Sequence, residues 1–154
     1  MTTQYERLKE MSQATRDRTR GGQVVVHTKD IEWEAGPGGH RRRAFISEPD
    51  ILGSMVQTMA AFLSEMPPGG RSGKHRHFNE AMIFVLKGHG HTVIGDGGNE
   101  KRYEWGEGDL VSVPVNEWHQ HFNDDPKNPA LHLGITNLPL LRAMGLNSLE
   151  DAAS

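Results

Sequence analysis

Residues 73–90 read "GKHRHFNEAMIFVLKGHG", and the first half of this stretch decides how the chain is read. Successive side chains of an extended strand point to opposite faces, so His75 and His77 share one side while Arg76 takes the other. Glu80 follows, and then an apolar, strand-like run, Ala81–Leu86, closes on Lys87-Gly88. Two imidazoles beside a carboxylate are a donor set for a divalent metal ion. The open question is whether Glu80 is a ligand or only a neighbour.

The rest of the chain bears on that question. His119 and His121 repeat the His-x-His spacing on a second predicted strand, "HQHFN" at 119–123. Two inward pairs from separate strands supply imidazole ligands that suit Fe, Zn, Cu or Ni. His89 and His91 flank Gly90 past the end of a strand and read as rim or surface residues. His27, His40 and His132 stand alone and read as ordinary polar residues.

The wider pattern is one of short β-type runs separated by Gly, Pro and Asn/Asp turns, from Val24-Val25-Val26 to "ALHLGITN" at 130–137. Such spacing indicates an antiparallel sandwich or barrel. At 154 residues the chain suits one domain with a real core. Residues 1–20 are polar and suit an exposed helix or mobile arm, 21–138 the barrel, and 139–154 a C-terminal helix packing on it. The apolar spacing of "PLLRAMGLNSLED" extends that helix to residue 151.

Composition excludes several classes. The net charge of −3 offers nothing to nucleic acid, and the basic run His40-Arg41-Arg42-Arg43 reads as a solvated loop or strand end. There is no cysteine, hence no disulfide framework or thiolate site. No window approaches the uninterrupted apolar length that crosses a membrane, and the first residues are too polar for a secretion signal. A cytoplasmic protein is expected.

Taken together, these residues resemble the cupin family, a small antiparallel jelly-roll barrel (a double-stranded β-helix) with a metal in its mouth. The first cupin motif is matched by Gly69, five residues, His75-Arg76-His77, three residues, Ala81, six residues and Gly88. The second is matched by Gly108, five residues, Pro114-Val115-Asn116, two residues, His119, three residues and Asn123, with Asn116 replacing glycine. In this register the family's metal-binding carboxylate position is held by Ala81. Glu80 lies one residue earlier, and a one-residue slip turns a side chain to the opposite face. The resemblance therefore implies a three-histidine site, His75, His77 and His119. Glu80 then acts as an anchor on a ligand histidine, or as a fourth ligand if the strand bulges. His75-Arg76-His77, Ala81 and Trp118-His119-Gln120-His121 are most similar to the gentisate 1,2-dioxygenase group, which opens aromatic rings at a three-histidine Fe(II). Those enzymes are normally two-barrel chains, whereas the motifs here account for one barrel.

His121 shares a face with His119, which makes it the acid/base or hydrogen-bond donor beside the metal, or else a fourth ligand, and Gln57, Trp105 and Trp118 are expected to line the cavity. The leading expectation is a mononuclear non-haem Fe(II) dioxygenase acting on a small hydroxylated aromatic or enol-type acid. One alternative is an isomerase, decarboxylase or lyase that uses Zn, Mn or Ni as a Lewis acid. Another is a non-catalytic barrel that binds a small molecule. Fold alone does not choose between them. The resemblance also implies a homodimer.

Overall fold

The computed structural model describes residues 2–36 and 41–152; His40 lies outside them. Helix α1 (Gln4–Arg20) begins on a capping box in which the Thr3 hydroxyl accepts from Glu6 N–H and the Glu6 carboxylate accepts from Thr3 N–H. Arg18 and Arg20 in its last turn complement the helix dipole. The helix buries no residue, because Tyr5, Leu8 and Met11 are too few to form an apolar stripe.

The strands form two sheets. One is ordered β1 (Glu34–Ala35), β2 (Arg42–Ser47), β3 (Ala60–Met66), β10 (Ala130–Thr136), β5 (Ala81–Lys87) and β8 (Leu110–Val113). The other is ordered β11 (Leu149–Asp151), β4 (His75–His77), β9 (His119–Asn123), β6 (His89–Ile94) and β7 (Lys101–Gly106). Every pairing between these strands is antiparallel. This is the two-sheet jelly-roll architecture implied by the family resemblance.

Alternation along the strands shows where the core ends and the site begins. On β10 the buried positions are Ala130, His132, Gly134 and Thr136, while Leu131, Leu133 and Ile135 face outward. Ala130 joins Met66, Val85 and Trp105 in the apolar core, with Val111 packed against it. Full burial of one such aliphatic side chain contributes roughly 1.5–3 kcal/mol. Beyond Ala130 the inward positions of β10 become polar or small and line a cavity of about 470 Å³. Gly134 is required there: a Cβ would meet the Phe62 ring at 2.3 Å.

The C-terminal helix is shorter than its apolar spacing suggests. Helix α2 (Leu138–Ala143) stops before Gly145, whose φ of 71° is left-handed and favours glycine. Residues 149–151 form β11 instead, pairing with β4 in the register Leu149↔His77, Glu150↔Arg76 and Asp151↔His75. The open edge of β4 and the Arg76–Glu150 ion pair, at 2.6 Å, draw this segment into strand. Arg142 in α2 donates to the buried Glu48 and to Asp50, which ties the helix to the turn after β2.

Candidate metal centre

The two strands that carry the predicted ligands are neighbours, with His75 on β4 directly opposite His119 on β9. The ring centroids lie 4.3 Å apart for His75 and His119, 4.8 Å for His77 and His119, and 5.6 Å for His75 and His77. One nitrogen from each ring falls within 4.8 Å of the other two. Their orientation is set locally. His75 Nδ1 is 2.9 Å from the carbonyl of Gly73, His77 Nδ1 2.8 Å from that of Asn79, and His119 Nδ1 2.8 Å from that of Glu117. A carbonyl can only accept, so each Nδ1 carries the proton and each Nε2 keeps its lone pair.

Burial reinforces this state. It pulls His75 down to about 4 and His119 down to about 3, and it also lowers His77. Three neutral imidazoles with bare Nε2 atoms form a donor set that fits a divalent metal ion.

His121 is also brought to the site, but not into the cluster. Its ring centroid is 5.6 Å from that of His119, and burial holds its pKa well below the ordinary value. Its Nδ1 is 2.9 Å from Thr92 Oγ1, which in turn accepts from Trp105 Nε1 at 3.1 Å. Thr92 keeps its own proton to offer His121 Nδ1, an arrangement that would put the ring's N–H at Nε2.

Glu80 faces away from the cluster. It is exposed, and its Oε2 accepts from Asn137 Nδ2 at 2.9 Å, while its backbone N–H donates to Asn137 Oδ1 at 2.9 Å. The strand does not bulge to bring it inward; Ala81 lines the cavity in its place. Gln57, Trp105 and Trp118 are absent from the cavity lining. Gln57 sits in the preceding turn, where it donates to Ser54 O and accepts from Arg18. Trp105 belongs to the apolar core, and Trp118 lies beneath the Arg76 guanidinium at 5.0 Å.

Residues 62–135 match the cupin domain family. A 5-aminosalicylate 1,2-dioxygenase from Comamonas sp is 32% identical over 100 residues, covering 65% of this chain and 25% of that protein. Among solved structures, the salicylate 1,2-dioxygenase of Pseudoaminobacter salicylatoxidans with gentisate superposes at a TM-score of 0.67. Its sequence is 12% identical, and the match covers 79% of this chain and 31% of that one. An oxalate decarboxylase from Lactobacillus farciminis reaches 0.68, with 18% identity over 85% of this chain and 36% of its own.

The chain belongs to the cupin superfamily. It spans only about a quarter of the curated dioxygenase's length. Seen as a cupin, its second motif is conformationally intact: Asn116, where the family has glycine, adopts φ of 60°, the one left-handed non-glycine among the described residues. Asparagine tolerates that region better than most residues. Asn123 closes the motif structurally, donating from Nδ2 to the carbonyls of Pro67 and Asn128 at 2.9 Å each.

This cupin also has cavity residues that the sequence reading left outside the site. Arg41 and Arg43 line the cavity, whereas Arg42 turns outward to Glu65 at 2.7 Å and to the Trp33 ring. The signal was present: three consecutive arginines entering a strand must alternate faces. His132, read as an ordinary singleton, and Ser64 line the same cavity. These four wall positions bear polar groups that neither cupin motif marks.

Proposed function

We propose that this cupin is a mononuclear non-haem Fe(II) dioxygenase acting on a small hydroxylated aromatic or enol-type acid. The observation that carries the reading is the three-histidine cluster with Ala81, not a carboxylate, at the fourth motif position. Neutral ligands leave the full charge of a divalent ion for the substrate, which favours an anionic acid bound through two oxygens. Likeness to ring-opening dioxygenases supports the same choice.

Bound at this site, Fe(II) would supply the activation of dioxygen, both atoms of which enter the product, so that no external reductant is consumed. The chain's own contributions are positional. The Gly73, Asn79 and Glu117 carbonyls hold the ligand rings in one tautomer. Ile83 and Val113 give the cavity a dry apolar wall. His121 Nε2–H, backed by Thr92 and Trp105, is placed to donate to bound substrate and to move a proton there.

The test is oxygen consumption by iron-loaded protein with gentisate-like and catechol-like compounds. Uptake matched to ring-opened product supports the reading. Zinc or nickel co-purifying with no uptake transfers it to Lewis-acid chemistry.

The reading includes a cytoplasmic homodimer. The outer face of the six-stranded sheet presents Met82, Phe84, Leu86 and Leu110, each 38–58% exposed, flanked by Leu131, Leu133 and Ile135. A contiguous apolar face of this kind marks an interaction surface, and a second copy carries the same face.

A further inference from the structure

Three buried side-chain polar atoms lack a partner among the described residues: Arg43 Nε, Ser64 Oγ and His132 Nε2. They are not scattered. Arg43 on β2 pairs with Ser64 on β3, and Ser64 pairs with His132 on β10, so the three side chains form one row across three adjacent strands. All three line the cavity that holds the histidine cluster, and Ser64 and His132 are only 3% and 4% exposed. Buried polar atoms are normally paired. A single orphan is readily a local packing compromise, but three in register behind one cavity wall form an unpaired polar row.

The charge of the cavity indicates which ligand. Arg41 and Arg43 both line it, and neither makes an ion pair among the described residues. Among the described residues, the only carboxylate in the lining is Asp151 on β11. A divalent ion at the histidines would add two further positive charges. One carboxylate chelated to that ion leaves the opposite wall uncompensated. The row lies on the six-stranded sheet and the histidine cluster on the other, and facing sheets pack about 10 Å apart. The two sites therefore suit opposite ends of one small molecule.

We propose that Arg43, Ser64 and His132 bind a second carboxylate, so that the ligand of this cupin is an acid with two acidic ends. The inference rests on the three-histidine reading for the first end only. Arg43 Nε–H, the Ser64 hydroxyl and the Nε2–H of a neutral His132 ring would donate to the two carboxylate oxygens. Arg41 beside them adds field without being part of the row.

Binding calorimetry tests this without turnover. Zinc-loaded protein is titrated with salicylate and with 4-hydroxyisophthalate, which is salicylate carrying a second carboxylate at the far side of the ring. The second ligand is expected to bind about tenfold more tightly, as suits one charge-assisted contact set. Arg43→Gln and Ser64→Ala should each shrink that ratio, and the neutral Ser64→Ala should do so while leaving salicylate affinity unchanged; Ser64→Ala deletes a single oxygen and so serves if the arginine variant does not fold. Equal affinities, or a ratio unchanged in Ser64→Ala, would overturn the proposal. Benzoate titrated into metal-free protein reads the row alone. Binding that Ser64→Ala weakens upholds the inference even where the metal reading fails, and binding indifferent to Ser64→Ala overturns it.

Discussion

His75 and His119 face each other across the β4–β9 ladder with ring centroids 4.3 Å apart. Two cupin motifs distant in sequence thus deliver their histidines to one point through backbone pairing, with no loop movement needed. Each ring is further pinned by a carbonyl within two residues of it. A site built this way is organised before any ion arrives, and its properties follow from the neighbours of each ring.

Glu80→Ala should leave metal content unchanged. Glu80 is exposed and bonded to Asn137 rather than to a ligand, so its loss costs about 0.5–1.5 kcal/mol, the usual net worth of such a hydrogen bond. Metal analysis and a urea midpoint measure both parts. Loss of metal in this variant would restore Glu80 to the site.

His121→Gln should keep the metal and lose rate. Its ring stands outside the three-nitrogen cluster, and a group that moves a proton in the transition state is worth about 10²–10⁴-fold. Metal content and oxygen uptake on the same preparation separate the two roles; a metal-free variant would make His121 a ligand.

Metal-free protein should lose stability as pH falls below neutrality. In the unfolded chain a histidine titrates near 6.5, whereas His75 is held at about 4 and His119 at about 3 by burial. Between pH 6.5 and those values the unfolded chain takes up protons that the folded chain refuses. The contribution is therefore fully present above pH 6.5 and lost as pH falls towards 3. Urea midpoints between pH 7.5 and 4.5 check the sign, and a midpoint that rises on acidification would contradict it.

Phe84→Glu should shift the protein to monomer. Phe84 lies at the centre of the apolar outer face, opposite Leu110 on one side and Leu133 on the other. Light scattering on the eluted species reads the mass directly. A monomer before mutation removes the proposed dimer.

Much of this was legible in the residues because motif positions carry backbone as well as chemical information. The spacing from Gly69 to Gly88 placed Ala81 inward and Glu80 outward, and the hydrogen bonds to Asn137 show where the displaced carboxylate went. Residues outside the motifs were harder to read. Arg41 and Arg43 resembled a solvated basic run because their partner, a cavity wall, is assembled from strands far apart in sequence. His132 gave no sign of its role, since its row with Arg43 and Ser64 exists only through pairing of β2, β3 and β10. The C-terminal segment carried a helical pattern to residue 151, but Gly145 and the vacant edge of β4 outweighed it. Local periodicity cannot report an edge that another part of the chain leaves open.

The central claim is that His75, His77 and His119 together hold one divalent metal ion. Elemental analysis of the unmutated chain beside His119→Ala, both expressed with iron supplied, tests it most directly. About one ion per chain, predominantly iron, is expected in the first, and occupancy reduced about 10-fold or more in the second, the lower end of what losing even a supporting contact costs. Full occupancy in His119→Ala would contradict it.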